Sequence, residues 1–216
     1  MMQMLVAVRQ WFRRRLRHLL AAPDSAEKEA FWRALVALHP GFAAAVVADA
    51  AITAARRGER HEYCSGLDAT LQVVRLSLVT ESFFAQVCYR GKARCQAIGI
   101  PLAPRLLHHA AVMTGQIAIG DPVVMAPGVF IPHGQTCIDG ITVIGGRTVI
   151  GPYTTIGLRT GDFVGPTIGS GVAVGTGARI LGPWSVGDGA TIGANAVVVS
   201  DIPSGATAVG VPARVR

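Results

Sequence analysis

His133 is the only histidine after residue 114, and it stands in a seven-residue step, Ile131 to Ile138, within a stretch otherwise paced by six. An imidazole held at such an irregularity can take a proton from a weak nucleophile near neutral pH. A turn histidine without chemistry is the other reading of the same residue. A second irregularity lies between Ile156 and Ile168, where the middle position of two hexads is Asp162. An unpaired carboxylate in a dry core is costly, so Leu158 to Thr167 is expected to leave the regular path as a loop. Loops on a rigid scaffold commonly carry ligand contacts. Cys137 has the type of a nucleophile, but beside Ile138 it reads better as a small apolar filler.

The elements that must position these residues are set by a ladder. Ile138, Ile144, Ile150, Ile156, Ile168, Val174, Ile180, Val186, Ile192 and Val198 are six apart or a multiple of six, and Gly follows most of them. Four residues after the aliphatic stand Thr148, Thr154, Thr160, Val172, Ala178, Ala190 and Ala196. A period of six fits neither a helix nor a hairpin meander, and it predicts a β-helix solenoid with three hexads to a coil and the aliphatics inside. Ile119, Met125 and Ile131 extend the ladder backwards, so the solenoid is expected to begin after Thr114-Gly115. A Gly-rich linker would not be paced by Ile and Val.

Residues 1–114 read as a helical domain and 115–216 as the solenoid domain. Helices are expected from Ser25 to Leu38, from Phe42 to Arg57, from Leu67 to Ala97 with Gly91 as a place to kink or divide, and from Leu102 to Met113. The third carries Leu71, Val74, Leu78, Val79, Phe83 and Val87 at the spacing of one buried stripe. Met1 to Ala22 alternates Arg with Leu, Val and Phe at helical spacing, which suits a transit peptide, a membrane-surface helix or, preferred here, an amphipathic helix packed on protein. Residues 115–216 hold five Asp and five Arg without Lys or Glu, so the whole net charge of +7 belongs to residues 1–114. No zinc-finger spacing or RNA-binding signature accompanies that charge, and no nucleic-acid partner is expected. Four cysteines without CxxC spacing suit free thiols in a reducing cytoplasm, and no apolar run approaches the roughly 18 residues of a membrane span.

The hexads, the runs Ala178-Arg179-Ile180-Leu181-Gly182 and Gly193-Ala194-Asn195-Ala196-Val197-Val198, and the closing Gly210-Val211-Pro212-Ala213-Arg214 resemble the hexapeptide-repeat acyltransferases. With a helical half ahead of them they are most similar to the serine O-acetyltransferase family. That resemblance implies a left-handed parallel β-helix, trimers or trimers paired through their helical halves, and acyl-CoA in a groove between neighbouring coils. It also implies acetyl transfer from acetyl-CoA to a serine-like hydroxyl, in cysteine biosynthesis, with His133 as general base and a backbone N–H as oxyanion donor. No metal is implied.

The family pattern also places an Asp directly before the base, a second His in the following loop and an acidic residue in the first coil. Pro132, Gly165 and Ala118 occupy those places here. Asp121 is near enough to Ala118 to substitute for it. Asp139, Arg159 and Asp162 are the other substrate-binding candidates. Arg159 suits a carboxylate and Asp162 an ammonium, or the two pair with each other. Gly157, Ala178, Arg179 and Arg214 are the CoA-binding candidates, the arginines offering forked donors to phosphate. Arg216 is of the same type. Other acceptors (an amine, a sugar or a biosynthetic intermediate) fit the departures, as does a degenerate homologue that only binds a partner enzyme such as a sulfhydrylase. A zinc hydrase on this solenoid needs three histidines, and the coils have one. A nucleotidyltransferase needs a Gly-rich phosphate loop that residues 1–114 lack.

Overall fold

The computed structural model describes residues 25–216, so the amphipathic stretch from Met1 to Ala22 lies outside the described residues. The chain divides into two compact units, one ending at Leu38 and one from His39 to Arg216. In the first, helix α1 (Ser25–Val36) starts at the expected Ser25 and stacks Phe31 edge-on against Trp32 with ring centres 5.5 Å apart.

The second unit opens with helices. α2 (Phe42–Arg56) follows the Pro40-Gly41 break, and α3 (Gly66–Val79) is capped by the Ser65 hydroxyl, which accepts the Asp68 amide. The single helix expected over Leu67 to Ala97 is two. It breaks at Thr80, whose backbone is extended (φ −141°, ψ 104°), and α4 (Glu81–Ala97) begins one residue later. Gly91 remains helical inside α4, where a β-carbon would stand 3.3 Å from Leu107 of α5 (Ala103–Gly115). The expected buried stripe therefore splits. Phe83 on α4 is buried, whereas Leu71, Val74, Leu78 and Val79 on α3 are exposed.

Helix α4 joins the helices to the coils. Its polar side chains donate to backbone carbonyls of the first coil. Lys92 donates to Ile119 at 2.5 Å, Tyr89 to Val123 at 2.8 Å and Arg90 to Met125 at 2.6 Å. Gln86 donates to Val129 at 3.0 Å and Ser82 to Pro132 at 3.1 Å. Arg90 also pairs with the buried Asp49 of α2 at 2.9 Å, and Asp49 accepts the amides of Gly128 and Val129 at 2.8 and 3.1 Å. These bonds oppose the desolvation of the pair, yet burial prevails at Asp49 and holds its carboxyl above the usual value.

Fourteen short strands follow among the described residues: β1 (Ile117–Ile119), β2 (Val124–Met125), β3 (Thr136–Ile138), β4 (Ile141–Ile144), β5 (Val149–Ile150), β6 (Thr155–Gly157), β7 (Val164–Ile168), β8 (Ala173–Val174), β9 (Arg179–Leu181), β10 (Ser185–Val186), β11 (Thr191–Ile192), β12 (Val197–Val198), β13 (Thr207–Val209) and β14 (Arg214–Val215). They form three sheets, β1-β3-β6-β9-β12, β2-β4-β7-β10 and β5-β8-β11-β13-β14. Every pairing is parallel except β13 with β14. Successive strands visit the three sheets in rotation, and single bridges at Phe130 and Ile202 supply the two remaining passes.

The ladder is what the register stacks. Ile119, Ile138, Ile156, Ile180 and Val198 form one column. Met125, Ile144, Ile168 and Val186 form the second, and Ile150, Val174, Ile192 and Ala208 the third. All are at most 3% exposed. The loop around Asp162 is real but shorter than expected, because β7 resumes at Val164. Val164 pairs with Ile141 and the register shifts before Val143. At that shift Thr142 is fully buried, and its hydroxyl donates to the Asp139 carbonyl at 2.7 Å.

Candidate active site

From the buried Ile131 the chain reaches β3 through Pro132, His133, Gly134 and Gln135, a path one residue longer than the regular spacing. Three contacts fix this turn. The Ser82 hydroxyl donates to the Pro132 carbonyl, the Thr136 amide donates to the Gln116 carbonyl at 3.2 Å, and Gly134 lies against the Gly115 carbonyl so closely that a methyl group there would overlap it. The backbone is thus held while the imidazole stays free, with the His133 side chain 72% exposed. It overlooks an open cleft of about 310 Å³ whose lining includes Glu81, Gln116, Gln135 and Tyr153. His133 Nδ1 is 3.9 Å from Glu81 Oε1. Glu81 is absent from the candidates read in the sequence. Its one signal is a Thr-Glu pair that can open a helix, hidden inside what reads as a single long helix.

The remaining candidates gather at the opposite edge of the first sheet, beyond the ends of β1, β3 and β6. A three-residue strand spans about 10 Å, so within one chain they do not join His133. Asp121 forms an ion pair with the buried Lys92 at 2.9 Å. Burial works against its charge, but the Lys92 hydrogen bond prevails and its carboxyl lies below the usual value. Burial lowers the Lys92 ammonium, and Asp121 opposes that shift. Asp121 therefore braces α4 rather than facing His133. Asp139 turns back on its own corner and accepts the Gly140 amide at 2.6 Å. Arg159 and Asp162 pair with each other at 3.5 Å on the exposed loop.

Of the CoA candidates, Ala178 is fully buried in the core and offers no side chain to a ligand. Gly157 ends β6 against the Asp139 backbone. Arg179 and Arg214 are exposed on β9 and β14, and Arg179 donates to the Gly177 carbonyl at 2.8 Å. Cys137 is no core filler, since alternation along β3 points it outward, where it is exposed. Desolvation and Asp139 push its thiol up, which keeps it protonated and a poor nucleophile. Gly165 has no room for a histidine, because the Thr142 hydroxyl occupies the place of its β-carbon. Ala118 sits on β1 beside Cys137. Among the described residues no three His, Cys, Asp or Glu gather as a metal site, and no helix is long and apolar enough to cross a membrane.

Three sheets of hexads visited in rotation, with one exposed imidazole at an irregular corner, have the build of a hexapeptide-repeat acyltransferase. No protein-family profile matches the chain. The serine acetyltransferase of Helicobacter pylori strain J99 is 39% identical over 140 residues, covering 63% of this chain and 82% of that protein. That of Synechococcus elongatus is 36% identical over 136 residues, and the match spans only 56% of its length. Among solved structures, the Neisseria gonorrhoeae serine acetyltransferase in complex with serine superposes with a TM-score of 0.66 at 28% identity, covering 80% of this chain and 68% of that one. A serine acetyltransferase in complex with CoA gives 0.63 at 27% identity, covering 79% and 68%. The chain belongs to the serine acetyltransferase family.

Proposed function

We propose that this protein transfers the acetyl group of acetyl-CoA to the hydroxyl of serine or a serine-like amino acid, with His133 as general base, in cytoplasmic cysteine biosynthesis. The observation that carries the reading is an exposed imidazole on a braced turn above an open cleft, in a family whose members bind serine and CoA. His133 takes the hydroxyl proton as the oxygen attacks the thioester carbonyl. The tetrahedral intermediate is stabilised by a backbone N–H, and its collapse breaks the C–S bond. The departing thiolate recovers the proton from the imidazolium.

In this reading the coils are a left-handed β-helix and the helices support and pair them. Three chains assemble so that the His133 edge of one lies beside the Asp139, Arg159 and Asp162 edge of the next. Acetyl-CoA lies in that groove, with its phosphates near Arg179 or Arg214 and its thioester arm along Gly157. The separation of the candidate residues across one sheet supports a shared site, since a single chain cannot assemble them.

A different small acceptor is the second reading, favoured by Gly165, where the Thr142 hydroxyl excludes a side chain. Free CoA release from acetyl-CoA, measured with serine, homoserine, threonine, amino sugars and simple amines, separates the readings. His133→Ala is expected to slow release about 10²- to 10⁴-fold with the true acceptor. Equal release by that variant overturns the role of His133. Release with an amine or sugar alone selects the second reading, and tight CoA binding without turnover indicates a homologue that serves only a partner enzyme.

A further inference from the structure

The family pattern leaves His133 without the carboxylates expected to orient it, since Pro132 and Ala118 stand in their places. We infer that Glu81, the first residue of α4, is the positioning residue for His133: its carboxylate accepts the Nδ1–H and leaves Nε2 as the unprotonated face toward the cleft. The inference rests on the acetyl-transfer reading and names the group that makes His133 a base of fixed orientation.

Four observations meet at this point. Glu81 Oε1 is 3.9 Å from Nδ1 across the mouth of the cleft, a gap that a small side-chain rotation closes to hydrogen-bond length. The adjacent Ser82 is fully buried and its hydroxyl holds the Pro132 carbonyl. One helical turn of α4 thus carries both the brace on the histidine's backbone and the carboxylate beside its ring. The break at Thr80 is what places Glu81 at a helix start, where the unpaired amides favour a carboxylate. The remaining cleft lining, including Gln116, Gln135 and Tyr153, contains no second carboxylate among the described residues.

Orientation matters because a neutral imidazole has two forms and only one presents a lone pair at a given nitrogen. A carboxylate at Nδ1 selects the form with the proton on Nδ1, so that Nε2 can accept the hydroxyl proton. On transfer the proton passes from the acceptor oxygen to Nε2, while Glu81 stays at Nδ1 as the acceptor that fixes the ring. Glu81 does not touch substrate in this scheme, so it is not a catalytic residue.

Two measurements test the inference. Nitrogen-15 spectra of the His133 ring in the full chain report which nitrogen carries the proton, whether or not the protein turns over. Wild type is expected to hold mainly the Nδ1–H form, and Glu81→Ala to shift toward Nε2–H. Steady-state thiol release is expected to show kcat down at least tenfold in Glu81→Ala, within the roughly 10² to 10⁴ that a general base supplies. KM for acetyl-CoA should stay unchanged, and Glu81→Asp should recover part of the loss. An unchanged ring spectrum in Glu81→Ala overturns the inference, as does kcat within twofold of wild type. If His133→Ala releases thiol as fast as wild type, the acetyl-transfer reading fails, and the ring spectrum still decides whether Glu81 orients the imidazole.

Discussion

At the residue scale the site is built by exclusion as much as by contact. Gly134 touches the Gly115 carbonyl, so only a residue without a side chain allows the turn to close over the end of α5. Gly134→Ala is expected to cost about 1–3 kcal/mol, the range for forcing a methyl into packed structure. It should also swing His133 away from Glu81, so that thiol release falls while binding of CoA at the coil edge persists. Denaturation and calorimetric titration of the same variant check both halves. The same logic at Gly165 accounts for the missing second histidine, because Thr142 has taken the space. The Thr142 hydroxyl is committed to the Asp139 carbonyl, which fixes the corner on which the acceptor candidates stand.

At the element scale, α4 is a bracket. Along its length Ser82, Gln86, Tyr89, Arg90 and Lys92 each reach a carbonyl of the first coil, and Asp49 of α2 completes the bracket from the other side. Replacing Asp49 with Ala leaves the Arg90 guanidinium buried without its partner and frees two coil amides. Loss of one member of a buried pair costs about 3–5 kcal/mol, so the urea midpoint of Asp49→Ala is expected to fall steeply. The exposed Arg60–Asp68 pair is the internal control. Asp68→Ala should move that midpoint far less, since solvent screens both charges. A small shift in Asp49→Ala would mean that the coils do not depend on the bracket.

At the scale of the whole molecule, the proposed assembly accounts for both the separated halves of the site and the apolar face of α3. Leu67, Leu71, Val74 and Leu78 are 71%, 60%, 51% and 81% exposed and recur at helical spacing. In the proposed assembly three chains share the coil grooves, and this stripe pairs two such trimers. Light scattering is expected to give a mass of six chains for wild type and three for Leu71→Glu with Leu78→Glu, with thiol release retained. A monomer with full activity would remove the shared groove. The charge asymmetry agrees with the division of labour: the coils sum to zero, while residues 1–114 carry the entire surplus.

The fold of the coils was legible because it repeats. Each hexad buries one aliphatic, so spacing alone predicts the columns that Ile119, Met125 and Ile150 begin, and the two breaks in spacing mark the His133 turn and the Asp162 loop. The proposed function class followed from the same residues and their family pattern. Helix limits inside residues 66–97 were not legible, because no Gly, Pro or break in spacing marks Thr80, where the backbone turns extended. Glu81 was lost with that limit. Nor does spacing reveal that Asp121 is claimed by Lys92, that Cys137 faces outward, or that Thr142 fills the place beside Gly165. The sequence by itself determined the stacked hexads and singled out the imidazole proposed as the base, because short-period burial is written locally. Only the tertiary structure brought Glu81 within 3.9 Å of that imidazole, because the approach joins the start of a helix to a turn of the coil across a long separation in the chain.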